Sequence, residues 1–273
     1  MKIGIIGLGS IGQMLVKAFT RSKAASADSL YVYNRTREKA EAFAKDWPFI
    51  VCDSVHECAE KVDVLFLCTK PLDILPVVDE IAKDQTVQAH LVSAAAGVSL
   101  GDLASRYAGP VSKLIPTVTS QELHGVSLYC CHRSVSAPDR EALISLLDHL
   151  GKPEEVNEST IETATILTSS APGLIAGILE QFAQAGTRHT PELSIEQTRR
   201  YLVETLLGTA TLLQAENLGF DQLIERVATK GGITQEGLEV LGKFLPTAFD
   251  EVFAMTTQKH QLLKDMIAQQ QKA

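Results

Sequence analysis

The chain has 273 residues, 45% of them hydrophobic and 21% charged, with a formal net charge of -8. The length exceeds one ordinary domain and allows two cores, while the composition is that of a globular protein with no apolar run near the ~20 residues of a bilayer span. The negative charge argues against non-specific binding to nucleic acid or anionic membrane, and the five scattered cysteines fit a reducing cytoplasm better than a disulfide framework.

The first dozen residues join an apolar strand to Gly7-x-Gly9-x-x-Gly12. This reads as a dinucleotide cradle: Gly7 permits a sharp turn, Gly9 a close approach of backbone to pyrophosphate, and Gly12 tight helix-on-strand packing. Ser10 and Ile11 open the helix, whose free N–H groups and positive dipole end face the phosphates. A glycine-rich turn without a ligand is the alternative. The motif alone is weak, but a strand precedes it, and Met14, Leu15, Ala18 and Phe19 follow at helical spacing. A second strand at 29–33 ends in Asn34-Arg35-Thr36, where such folds read the adenosine ribose. NAD sites place an acid there, which would repel a 2'-phosphate. Neutral Asn34 followed by the forked guanidinium of Arg35 favours NADP(H), with NAD(H) possible. The alternative makes Arg35 a solvated residue opening the helix at 37–47.

Further strands are expected at 49–52 and 62–68, the latter ending in Thr69-Lys70-Pro71 at the carboxyl end of the sheet, where open α/β folds place ligands. Lys70 is therefore a candidate cofactor neighbour, an exposed loop lysine being the alternative. A strand at 90–94 leads into Ala95-Ala96-Gly97, small enough for a nicotinamide ring to lie against backbone. Ser99-x-x-Asp102 and Ser136-x-x-Asp139 read as helix starts, with Gly151 as the stop of a helix at 137–150. Strands at 111–116 and 126–131 complete a doubly wound, mostly parallel α/β sheet. Cys130-Cys131-His132 is not a metal site, because neighbouring strand residues point to opposite faces, and no metal is expected.

Beyond about residue 157 only helical patterns remain, which places a dinucleotide-binding domain at 1–157 and an all-α domain at 158–273. The first of these helices, from 161, is interrupted at 169–173; Ser194-x-x-Gln197 caps another, and Pro246 is expected to begin the last. Several are too apolar for a free surface, which points to a homodimer or higher homo-oligomer. Thr229-Lys230-Gly231-Gly232-Ile233-Thr234 offers N–H donors suited to a carboxylate. The alternative is a joint between helices in which Thr234 is only an N-cap.

The glycine cradle, Asn34-Arg35-Thr36, Lys70-Pro71, Ser93-x-x-Ala96-Gly97 and above all 227–238 resemble the pyrroline-5-carboxylate reductase family across both domains. The resemblance implies a Rossmann domain followed by a helical dimerisation domain, and NAD(P)H-dependent reduction of a cyclic imine to L-proline. It assigns Gly231, Gly232 and Thr234 to the substrate carboxylate, the Thr234 hydroxyl to the ring nitrogen, and Thr229 to the place of a family serine. Departures fall in the substrate half. The family's Met-Pro-Asn-Thr-Pro is here Ile115-Pro116-Thr117-Val118-Thr119, its Ser-Gly-Ser-Gly-Pro is Thr168-Ser169-Ser170-Ala171-Pro172, and its Ser-Pro-Gly-Gly-Thr-Thr is Thr229-Lys230-Gly231-Gly232-Ile233-Thr234. The last is similar to the late-competence (ComER-like) branch, which adds a second reading: an accessory protein that keeps the cofactor fold with little or no turnover.

Overall fold

The computed structural model describes residues 1–270. Short apolar runs, buried except in the half-buried β3, form seven strands of one sheet, β1 (Ile3–Ile6), β2 (Leu30–Tyr33), β3 (Ile50–Val51), β4 (Val64–Leu67), β5 (His90–Ser93), β6 (Val111–Ile115) and β7 (Val126–Cys131), and the polar β8 (Lys152–Glu155) is the eighth. Their order is β3-β2-β1-β4-β5-β6-β7-β8, parallel throughout except for the antiparallel pair β6 and β7. Strand alternation sends Ile5 and Phe66 to one face, where they join Leu15 and Phe19 of α1 (Ser10–Arg21) and Leu146 of α6 (Ala137–Leu147). Ile6, Leu65 and Leu67 point the other way, to Cys58 of α3 (Val55–Glu60), Ile74 of α4 (Pro71–Ala82) and Leu103 of α5 (Leu100–Arg106). α2 (Arg37–Ala44) follows β2 and buries Ala40.

The expected helix starts form. Ser99 closes a capping box with Asp102, Ser194 does so with Gln197, and the Ser136 hydroxyl accepts the Asp139 N–H. The helical half contains α7 (Ile161–Thr168), α8 (Ala171–His189), α9 (Ile195–Ala215), α10 (Phe220–Val227) and α11 (Ile233–Gln270). Pro172 is the second residue of α8, where its missing N–H has no helical partner to lose.

Three features differ from the sequence reading. β8 escaped notice because Lys-Pro-Glu-Glu is polar, as an edge strand can be. Pro246 does not begin the last helix but lies inside α11, which starts at Ile233 and loses only the bond Pro246 would have donated to Gly242. By contacts the chain forms one compact unit of Met1–Pro172 with Thr256–Ala273 and another of Gly173–Met255, whereas sequence character changes at 157. Ile161 of α7 and Ile267 of α11 join the core beneath the sheet, which explains why both segments belong with it. Gln270 also donates to the Leu72 carbonyl at 3.2 Å, an acceptor that Pro76, four residues on in α4, cannot serve.

Among the described residues, no helix is long and apolar enough to cross a membrane. The unit at Gly173–Met255 leaves much of its apolar surface open: Phe182, Leu207 and Phe244 are 65%, 62% and 69% exposed.

Candidate active site

A cleft of about 460 Å³ opens at the carboxyl ends of β1, β2 and β4 and is lined by Gly7, Leu8, Gly9, Asn34, Arg35, Thr36, Lys39, Thr69 and Lys70 among others. Its floor is the glycine turn, and the three glycines there are required for different reasons. Gly7 has φ +96, and a Cβ on it would meet the Cys68 carbonyl oxygen at 2.9 Å. A Cβ on Gly12 would lie 1.9 Å from the Gly7 carbonyl oxygen. Around Gly9 the nearest atom to such a Cβ is 3.9 Å away, so the protein's own packing does not demand glycine there. A ligand lying against the backbone would.

Gly9 is the N-cap of α1 and contributes no side-chain cap, and the first turn of the helix holds no acid. The opening N–H groups of α1 have no partner within the helix and are donors for an anion. Asn34 holds the turn in shape: its Oδ1 accepts the Leu8 N–H at 2.9 Å, and its Nδ2 donates to the Thr36 carbonyl at 2.8 Å. An aspartate could make only the first of these bonds, so the amide is explained by structure as well as by a phosphorylated ribose. Arg37 is engaged by Glu41 and Asp53. The side chains of Arg35 and Lys39 have no ion-pair partner among the described residues, and both border the cleft beside the uncapped start of α2. Sequence reading missed Lys39, although its spacing of four from Arg35 across a helix start was a usable signal.

At the opposite wall the Thr69 hydroxyl is buried without a hydrogen-bond partner, an orphan that a bound group would satisfy. Lys70 is exposed and caps α4 through its backbone, with Pro71 as the first helical residue. Burial pushes the Cys68 thiol up to about 12, which makes it an inert wall rather than a nucleophile. Ser10, Ile11 and Gly12 sit in the first turn of α1. Ala95 and Ala96 do not line this cleft; Ala95 is packed in the core and Ala96 is half-buried, so the small side chains serve packing first.

The second candidate loop lies in the other unit. Gly231 adopts φ +72, and its N–H donates to Gln235 Oε1 at 2.8 Å, while the Gly232 N–H donates to the Thr229 carbonyl at 2.8 Å. Both glycine N–H groups are thus engaged within the chain. The free donors pass one step on, to Ile233 and Thr234 at the start of α11. Thr234 is not an N-cap, because α11 begins before it: the Gly232 carbonyl accepts from Gln235 at 3.1 Å and opens the helix. A Cβ on Gly232 would lie 2.6 Å from Thr229 Oγ1, so glycine is required there. Thr229 and Lys230 are exposed, Thr234 is half-buried, and Ile233 is 92% exposed. Cys130, Cys131 and His132 form no cluster, and His132 Nδ1 bonds the Ser134 hydroxyl at 2.9 Å.

Sheet order, glycine turn and cleft together define a Rossmann-type protein followed by a helical region. Family models agree: "NADP oxidoreductase coenzyme F420-dependent" matches residues 2–97, and "Pyrroline-5-carboxylate reductase dimerisation" matches residues 158–263. Pyrroline-5-carboxylate reductase 3 of Bacillus subtilis is 34% identical over 98% of this chain and 99% of its own. The chain belongs to the pyrroline-5-carboxylate reductase family. The reductase of Methanobrevibacter smithii is 32% identical over 89% of this chain and 98% of its own, and ComE operon protein 4 of B. subtilis is 29% identical over 96% of each. The fold is shared with the Plasmodium falciparum pyrroline carboxylate reductase, crystallised with NADP bound (TM-score 0.83, 21% identity, 97% of this chain and 98% of that one). The Streptococcus pyogenes 1-pyrroline-5-carboxylate reductase is similar (TM-score 0.80, 23% identity, 97% and 98%).

Proposed function

We propose that the protein is an NADPH-dependent reductase of a cyclic imino acid, converting 1-pyrroline-5-carboxylate to L-proline, and that it acts as a homodimer or larger homo-oligomer. The observation that carries this reading is a cleft combining free helix N–H donors, an unneeded glycine at Gly9 and two unpaired cations, Arg35 and Lys39. Those cations suit a 2'-phosphate, so NADPH is favoured over NADH. Similarity over almost the whole chain to a pyrroline-5-carboxylate reductase, at 34% identity, supports that substrate class.

A bound dinucleotide would be the hydride donor for the imine carbon, with the C=N electron pair and a proton from solvent going to the ring nitrogen. The chain's own task is positioning, since holding two reactants in near-attack geometry accounts for much of such catalysis. Gly7, Gly9 and the first turn of α1, with Ser10, Ile11 and Gly12, hold the pyrophosphate. Thr36, Thr69, Lys70 and Pro71 border the cofactor. The N–H groups of Ile233 and Thr234 hold the substrate carboxylate within the 229–234 loop, and the Thr234 hydroxyl hydrogen-bonds the ring nitrogen.

Lys230 and Ile233, which stand where the family has proline and threonine, are the residues that favour the second reading, a late-competence accessory protein with weak turnover. The lower identity to ComE operon protein 4 gives it no advantage. Oxidation of NADPH by purified protein against a panel of cyclic imino acids separates the two. Turnover with pyrroline-5-carboxylate, with L-proline as product, supports the reductase; tight NADPH binding without imine-dependent oxidation supports the accessory protein.

A further inference from the structure

Away from the cofactor cleft, three side chains from two elements converge. His56 and Glu60 share one face of α3 at a spacing of four, and Asp84 follows the end of α4. His56 Nε2 lies 3.4 Å from Glu60 Oε1 and 3.4 Å from Asp84 Oδ2, and the three donor atoms all lie within 4.8 Å of one another. A charge-assisted hydrogen bond would draw such atoms to about 2.7–2.9 Å. Two bonds of 2.0–2.2 Å to one tetrahedral ion instead separate their donor atoms by about 3.3–3.6 Å. Asp84 is also held in place: its Oδ1 accepts the Thr86 N–H at 2.8 Å and the Thr86 hydroxyl at 2.7 Å, which leaves Oδ2 directed at His56.

We propose that His56, Glu60 and Asp84 form a binding site for a single divalent transition-metal ion, zinc foremost, that clips α3 to the end of α4. One imidazole nitrogen with two carboxylates suits zinc or cobalt and leaves a fourth position for water, whereas magnesium and calcium favour shells of oxygen alone. Thr86 is the outer partner that orients a ligating carboxylate. Both clipped elements reach the cofactor cleft, α3 through Val55 and α4 through its first turn, so the ion would brace the cleft from behind without touching the reactants. Residues 56, 60 and 84 are too far apart in sequence to be read as a ligand motif.

The test uses the full chain without a polyhistidine tag, stripped with chelator and titrated with zinc chloride by calorimetry and with cobalt(II) by visible absorption. The proposal expects one ion per chain, a four-coordinate cobalt spectrum and a raised melting temperature. H56A and D84N should each weaken binding at least about tenfold while leaving metal-free NADPH binding unchanged. Zinc binding that is unaltered in both variants, cobalt absorption with thiolate charge-transfer bands that persists in them, or no saturable binding at all would each overturn it; the last leaves the three side chains as plain ion pairs.

Discussion

Met1–Pro172 buries Phe19, Phe66 and Ile74 completely, whereas Gly173–Met255 buries only Ala183 and Thr198 and leaves Phe182, Leu207 and Phe244 more than half exposed. The first unit closes its own core from strands and covering helices. The second has the helices but not the cover, and large exposed apolar surface of this kind marks an association site. The same contrast separates the two candidate sites. The cleft at the ends of β1, β2 and β4 is held by fixed contacts such as Asn34 to Leu8 and Thr36, while the 229–234 loop is held mainly by local bonds within itself and to Gln235.

The sharpest way to probe the cofactor half is to compare its glycines. G12A places a Cβ against the Gly7 carbonyl oxygen and should cost several kcal/mol, on the order of 3 or more, abolishing NADPH binding together with the native melting transition. G9A has room and should keep that transition while losing NADPH affinity; if it binds NADPH normally, the ligand is not lying against Gly9. The second unit is probed by charge. L207E places a carboxylate on the open apolar face and should convert the assembly to monomer at micromolar concentration by light scattering; an unchanged mass would show that another surface holds it together. A smaller effect is expected at the phosphate corner, where R35A should weaken NADPH binding about tenfold to a hundredfold and leave NADH binding nearly unchanged, by fluorescence titration.

The smallest effect concerns the sheet's own stability. His90 is 3% exposed, its Nε2 meets the Ser112 hydroxyl at 2.8 Å, and burial lowers its pKa to about 4. The folded state holds it neutral while the unfolded chain protonates below about 6.5. Its contribution is therefore full above pH 6.5 and is lost as pH falls toward 4. Urea unfolding should show the wild type losing about 1.5 kcal/mol more than H90Q between pH 6.5 and 5.

The sheet was legible because its strands are apolar runs that end at turn residues, and the cradle because three glycines at fixed spacing follow a strand. Ser99, Ser136 and Ser194 announced their helices for a local reason, a hydroxyl three residues ahead of a partner amide. What failed depended on distant context. β8 is polar and becomes a strand only beside β7. Pro246 suggested a helix start, yet the flanking turns carry α11 past it. In the 229–234 loop, Gln235 and the Thr229 carbonyl, which take up the glycine N–H groups, show only in three dimensions.

The proposed role of the Thr234 hydroxyl in imine reduction is decided by kcat/KM for pyrroline-5-carboxylate and the Kd for NADPH in the pair T234A and T234S. T234A should lose about tenfold or more in kcat/KM at an unchanged NADPH Kd, and T234S, which restores the hydroxyl, should recover most of it. Equal turnover by T234A and wild type would contradict it.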